Sequence, residues 1–251
     1  MSFLSVDLQD KTYPNGVCAI RDLRFEVAEG EFVAIVAPSG AGKSTLLNLL
    51  AGLDKGFHGS LSYPHDASLS FMFQEPRLLP WLTLEANIRL VLDAPHRHTD
   101  LSRFARMDLL LQQLGLQDFR HAYPNQLSGG MKRRAALVRA FVTQPSLLLM
   151  DEPFQSLDEP TAQGLRQLLL QLWAESRPTV LFVTHSLNEA LLLADRILFL
   201  SPRPAHVILD YRVPLARPRP LETSALQPLQ AELLQQHPEL LSGIPTFYQP
   251  D

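Results

Sequence analysis

The run Phe32-Val-Ala-Ile-Val-Ala-Pro-Ser-Gly-Ala-Gly-Lys-Ser-Thr45 reads as strand, turn and helix start in succession. Phe32–Val36 is continuously apolar and rich in β-branched residues, as in a strand covered on both faces of a sheet. From Lys43 to Ala51 the pattern is helical. The glycine-bearing turn between them has the makings of a phosphate cradle. Glycines leave successive backbone N–H groups free to converge on an oxyanion, and a helix start adds unpaired N–H groups and a positive dipole end. Lys43 supplies a point charge for β- and γ-phosphates, and the Ser44 hydroxyl can ligate Mg²⁺. The candidate phosphate-binding residues are Pro38, Ser39, Gly40, Ala41, Gly42, Lys43, Ser44 and Thr45. The strict pattern is G-x-x-x-x-G-K-[ST], and Ala37 stands where its first glycine belongs. If position 37 needs a positive φ, alanine costs about 1–2 kcal/mol. At negative φ binding is tolerated.

Working outward, the same strand–loop–helix signal repeats. Leu147–Met150, Val180–Val183 and Ile197–Leu200 read as further buried strands, and Thr161–Glu175 and Leu187–Ala194 as helices between them. This is βαβ order and an α/β class. Residues 1–31 alternate, as in Phe25-Glu-Val27, which fits an antiparallel edge sheet. Residues from about 76 to 140 read as a helical insertion, with helices over Leu84–Leu92, Ser102–Leu114 and Gly130–Val142. The remainder from Arg212 is proline-rich (Pro214, Pro218, Pro220, Pro228), with one helical candidate at Ala225–Gln236. It is too short for a separate regulatory domain. The expected organisation is one domain over 1–211 and a short tail over 212–251.

Acids and a histidine fall at the ends of those strands, where open α/β sheets bind ligands. Leu147–Met150 runs into Asp151-Glu152. Asp151 is placed to hold Mg²⁺. Glu152 is placed to act as general base on a water opposite a γ-phosphate, a role worth about 10²–10⁴-fold in rate. His185 ends the next strand and is a γ-phosphate contact. Gln74 follows Leu69–Phe73 and offers an amide to Mg²⁺ or the water. A second anion site opens at Ser128-Gly129-Gly130, where Ser128 suits an N-cap and another helix start faces outward. Two phosphate-binding helix starts in one chain point to a site completed by a second molecule.

Composition limits the classes. The chain has 251 residues, 22 Lys+Arg against 26 Asp+Glu and a net charge of −4. That argues against a polybasic nucleic-acid-coating protein. Charged residues are 19%, below the usual ~25%, so part of the surface is expected to be covered. The lone Cys18 excludes an internal disulfide and fits a reducing compartment. The first residues carry Asp7, Asp10 and Lys11 and lack a signal-peptide core. No run reaches the ~18 apolar residues of a membrane span.

Taken in order, these motifs resemble the ATP-binding cassette (ABC) ATPases over nearly the whole chain. Gly40–Thr45 resembles Walker A, Leu148–Glu152 Walker B, and Gln74 the Q-loop. Leu127–Gly130 resembles the signature, with Met131 where glutamine is more usual. Ser156-Leu-Asp158 resembles the D-loop, with Gln155 where many importers have glycine, and His185 the switch histidine. The resemblance implies a P-loop NTPase cassette with a mixed central sheet, an antiparallel β edge subdomain and a helical insertion. It implies ATP and Mg²⁺ as ligands, with Tyr13 stacked on adenine and Asp158 at the nucleotide interface. It also implies head-to-tail pairing with a second cassette, a homodimer in the simplest case, in which Ser128 acts on ATP held by the partner's Lys43.

Gln74-Glu-Pro-Arg-Leu-Leu-Pro-Trp81-Leu-Thr is similar to the ATPases that energise nitrate, sulfonate and taurine importers. Leu198–Pro204 and Pro214–Pro220 fit that group too. A cassette of this kind is peripheral, on the cytoplasmic face of the inner (plasma) membrane. Its partners are membrane permease subunits, indirectly a solute-binding protein, and no nucleic acid. Trp81, Leu78 and Leu79 are then permease-facing; the alternative is that Trp81 belongs to the insertion's own core. Two further readings stay open. One is a non-transport ABC ATPase, which the absence of a coiled-coil insertion or basic surface disfavours. The other is a non-hydrolysing cassette of an asymmetric pair, which Ala37 and Gln155 favour and the retained Lys43, Asp151, Glu152 and His185 oppose.

Overall fold

The structure, a computed structural model, describes residues 2–93, 101–219 and 226–240. The strands are β1 (Ser2–Thr12), β2 (Cys18–Ala28), β3 (Phe32–Val36), β4 (His58–Ser62), β5 (Leu69–Met72), β6 (Leu147–Asp151), β7 (Thr179–Thr184), β8 (Arg196–Leu200) and β9 (Val207–Arg212). The helices are α1 (Lys43–Leu50), α2 (Leu84–Leu92), α3 (Leu101–Gln113), α4 (Gly129–Phe141), α5 (Glu159–Ser176), α6 (Leu187–Leu193) and α7 (Gln227–Gln236). They group into two compact units. The first holds residues 1–67, 149–152 and 179 onward, and the second holds 68–148 and 153–178.

In the first unit β3 lies between β7 and β8 and runs parallel to both. All five β3 residues are buried, as are all six of β7. That two-sided burial is why these strands are apolar without alternation. β9 closes this edge antiparallel to β8, so the sheet is mixed. The end of β6 continues the sheet beside β7, where Glu152 N–H donates to Val183 O at 3.0 Å. A separate antiparallel sheet has the order β2-β1-β4. Its β1 and β2 residues alternate, with Leu4, Val6, Leu8, Leu23, Phe25 and Val27 inward, the period-2 pattern of a half-buried sheet. Strand β4, His-Gly-Ser-Leu-Ser, is nearly all exposed.

The second unit is mostly helical. α2 starts at the Thr83 cap, whose side chain accepts from Ala86 N–H. α4 starts at Ser128, whose Oγ accepts from Met131 N–H at 3.2 Å. α5 starts at Asp158. The helix expected over Ala225–Gln236 is present as α7; Ala225, like Pro220, lies outside the described residues.

Candidate nucleotide site

In the first unit the turn after β3 carries the cradle. Gly42 sits at φ 111°, and a Cβ there would lie 3.0 Å from Ala19 O. Gly40 sits at φ 77°. These are the positions where only glycine fits. Ala37 is buried and lies outside the left-handed region, so the first glycine of the strict pattern has no conformational duty here. Ala37→Gly is expected to leave affinity for a nucleoside triphosphate within about threefold. It should lower stability by about 0.4–1 kcal/mol through added chain entropy. Titration and thermal melting of the two proteins check this, and a gain above tenfold would show a strained loop.

Lys43 opens α1 and is only 7% exposed. Its ammonium donates to Ala37 O at 2.9 Å and Pro38 O at 3.1 Å, and it pairs with Glu152 Oε1 at 3.4 Å. Glu152 Oε2 accepts from His185 Nδ1 at 2.5 Å. Three residues from the ends of three strands thus meet in one place, with Asp151 next to Glu152 as the buried last residue of β6. Glu152 holds φ 45°, rare for a non-glycine residue and a form of strain that collects at working sites. Its N–H bond to Val183 O helps hold it there. Thr184, just before His185, donates to Glu189 Oε2 at 2.6 Å and accepts from Ser186 N–H. That ties the strand end to the start of α6.

Tyr13 lies at the same cradle. Its hydroxyl is 3.0 Å from Thr45 Oγ1, and the Lys11 ammonium stands 4.6 Å from its ring centroid. Lys11 is buried and paired with Asp54 at 2.7 Å. That hydrogen bond from Lys11 holds the Asp54 carboxyl below its usual range against the opposing pull of burial. Sequence reasoning missed Lys11, because a cation near the end of a strand carries no local signal of burial.

The residues present fit Mg²⁺. Ser44 and Asp151 are hard oxygen donors, and Mg²⁺ is ordinarily held by one or two such ligands together with substrate phosphates and water. Among the described residues no cluster of three or more His, Cys, Asp or Glu could hold a metal by itself.

In the second unit Gln74 Nε2 donates to Gln155 Oε1. The Gln155 main-chain oxygen accepts from the buried Arg133 at 3.2 Å. The side chain at the position where glycine is common therefore occupies the Gln74 amide, a pairing across 81 residues that no local pattern reveals. Arg139 donates to Pro76 O at 2.6 Å and Arg77 O at 2.9 Å, and burial pushes its guanidinium below the usual arginine range. Asn87, buried, donates to Leu79 O, Leu82 O and Thr83 O and accepts from Leu79 N–H. The segment after Gln74 is thereby pinned, yet Trp81 within it is 69% exposed. Trp81 is not part of a core.

Ser128 and Gly129 are exposed at the start of α4, and a Cβ on Gly130 would come within 3.0 Å of Thr161 Cγ2. Asp158 serves as the cap of α5, accepting from Thr161 N–H at 3.0 Å and Thr161 Oγ1 at 2.8 Å. Those two bonds hold its carboxyl below the ordinary range. The four residues Lys43, Asp151, Glu152 and His185 are brought together in one unit, while Gln74, Ser128, Gly129, Gly130 and Asp158 belong to the other.

A family model described as ABC transporter matches residues 20–155. The aliphatic sulfonates import ATP-binding protein SsuB 1 of Pseudomonas fluorescens is 42% identical over 94% of this chain and 85% of its own length. The nitrate import ATP-binding protein NrtD of Synechococcus elongatus is 38% identical over 92% and 88%. Among solved structures, a dimeric bacterial ABC transporter cassette superposes with a TM-score of 0.73 at 32% identity, covering 85% of this chain and 100% of its own. A dimeric cassette in a post-hydrolysis state bound to ADP and Pi gives a TM-score of 0.72 at 30% identity over the same shares.

Proposed function

The chain belongs to the ABC transporter family as the ATP-hydrolysing subunit of an importer, and on that premise we propose that it drives uptake of a small oxyanion or sulfonate as a homodimer on a membrane permease. The observation that carries the catalytic part is the meeting of Lys43, Glu152 and His185. Gly40–Thr45 bind the phosphates of ATP, and Lys43 leaves Glu152 to reach them. Ser44 and Asp151 would hold Mg²⁺, which would supply positive charge against the triphosphate. Glu152 takes the proton of the attacking water. As that oxygen bonds to the γ-phosphorus, the bridging P–O bond breaks and leaves ADP and phosphate. His185 holds the Glu152 carboxylate in place, and Gln74 has a polar amide to offer once it leaves Gln155. Tyr13 supports the adenine. Ser128, Gly129, Gly130 and Asp158 act across the dimer on ATP bound by the second copy.

The solute class rests on the sulfonate and nitrate relatives and on the Gln74–Thr83 segment. The cassette comprises residues 1–211, with its helical insertion over about 76–140, and 212–251 is the tail. Among the described residues no helix is long and apolar enough to cross a membrane, and the chain sits peripherally on the cytoplasmic face. Trp81 is the anchor. It is a large exposed aromatic on a segment pinned by Asn87 and Arg139, and buried Trp residues at interfaces carry much of the binding energy. Trp81→Asp is expected to weaken association with the permease about thirtyfold or more, since an anchor is worth ~2 kcal/mol and above. ATP affinity of the free subunit should stay within twofold. Co-purification from membranes with the permease tagged reads this directly. Undiminished recovery would show that Trp81 faces no partner.

A further inference from the structure

The turn Ser201–His206, between β8 and β9, has no part in the chemistry above, yet it is built against the phosphate loop. Arg203 Nη2 donates to Gly40 O at 2.8 Å. The N–H at the other side of that same peptide, from Ala41, donates to Pro38 O at 3.2 Å. The Gly40–Ala41 peptide is therefore gripped at both its polar ends. Gly40 sits at a positive φ with no side chain of its own, so these two bonds, one local and one from Arg203, set that peptide's orientation. The same turn also backs the end of the loop. Ala205 N–H donates to Ala19 O at 2.9 Å, and Arg21 N–H donates to Ala205 O at 3.1 Å. A Cβ placed on Gly42 would meet both Ala19 O and the Ala205 methyl.

The turn is rigid enough to do this. Ser201 is buried, and its hydroxyl lies within hydrogen-bond distance of Pro202 O, Pro204 O and His206 Nδ1 while accepting from His206 N–H. Ser201 N–H donates to His206 O at 3.0 Å. The guanidinium itself is exposed, so it contributes little to the core. We propose that Arg203 is a positioning residue for ATP binding. By holding the Gly40 carbonyl it keeps the phosphate loop in its receptive shape, so that N–H groups and not a carbonyl oxygen meet the triphosphate. This rests on the assignment of Gly40–Thr45 as the nucleotide cradle.

The test uses the full chain with Arg203→Ala, Arg203→Gln and Arg203→Lys, read by ATP titration, steady-state hydrolysis and thermal melting. Arg203→Ala is expected to raise KM for ATP about three- to thirtyfold, in the range of a partly exposed charge-assisted bond. The kcat should stay within twofold and the melting temperature within 2 °C. Gln and Lys can each still donate to a carbonyl and should return KM to within about threefold of the parent. A Gln variant as weak as Ala, with Lys restored, would mean that Arg203 acts only as a charge toward the phosphates and would overturn the proposal. So would an unchanged KM in Arg203→Ala, or a fall in kcat and stability together. If the parent protein bound no ATP, or Lys43→Ala bound it equally well, the cradle assignment itself would fail, which is a separate result.

Discussion

Glu152→Gln is expected to reduce ATP turnover by about 10²–10⁴-fold, the usual worth of a positioned general base, while leaving ATP bound. Glutamine has nearly the shape of glutamate and meets the same left-handed backbone at φ 45°, so the strain at this position is unchanged. What disappears is the charge. The amide cannot take a proton from water and cannot form the ion pair with Lys43. Freed of that partner, Lys43 meets the phosphates without first giving up an attraction, so ATP affinity should be equal or tighter. With hydrolysis blocked and binding intact, the two-cassette form with ATP between its copies should accumulate. Phosphate release and size-exclusion chromatography with and without ATP check the two halves. Undiminished turnover would remove Glu152 as the base. Loss of ATP binding would show instead that the Lys43–Glu152 pair is needed to build the loop.

The meeting of Lys43, Glu152 and His185 was legible in the sequence because of where the residues fall. Asp151 ends, and Lys43, Glu152 and His185 follow, strands whose burial on both faces shows as an unbroken apolar run, and ligand sites of such sheets lie at those ends. Burial also made β3, β6, β7 and β8 visible almost to the residue. β4 was invisible for the converse reason. His58–Ser62 has one half-buried leucine and exists as a strand because β1 offers it an edge. β9 was missed likewise: Val207–Arg212 is only half covered and is defined by its pairing with β8. The alanine at position 37 posed a question that spacing could not answer, since a pattern of letters carries no φ. The contacts that tune the site are the least legible of all. Gln74 with Gln155 and Arg203 with Gly40 span 81 and 163 residues, and each is a polar side chain on a loop, without periodicity to betray it.

Arg219 carries the other large effect. It lies in the proline-rich stretch beyond β9, read from sequence as a short tail, and it shows how that stretch is docked. A short helix such as α6 leaves its last carbonyls without partners inside the helix. Arg219 Nη1 donates to Leu191 O at 2.8 Å, Leu192 O at 3.4 Å and Ala194 O at 2.6 Å. Its other nitrogens donate to Leu215 O at 3.1 and 2.9 Å, and a cation at this end also suits the helix dipole. Burial, with a smaller push from the Arg217 charge, lowers the guanidinium pKa to about 10, partly opposed by Asp195. It therefore stays protonated at neutral pH. The folded value lies below the unfolded one, so this burial opposes folding at neutrality, and that opposition begins to fade only as pH rises through about 10. The bonds to the carbonyls must outweigh it.

Arg219→Met keeps the buried stem and removes every donor. It is expected to cost about 2–4 kcal/mol, the penalty of stranding several buried acceptors less the desolvation regained. At ~2–4 °C per kcal/mol for a chain of this size, the melting temperature should fall about 5–15 °C. Arg219→Lys, with one ammonium in place of a fork, should recover less than half of that. An unchanged melting temperature in Arg219→Met would mean that water satisfies the end of α6 and that the segment is a passive cover. Activity should fall with stability, because Ser186, directly after His185, caps α6, and the Thr184–Glu189 bond ties the strand end to it. A loosened α6 would take with it the ring that holds the Glu152 carboxylate.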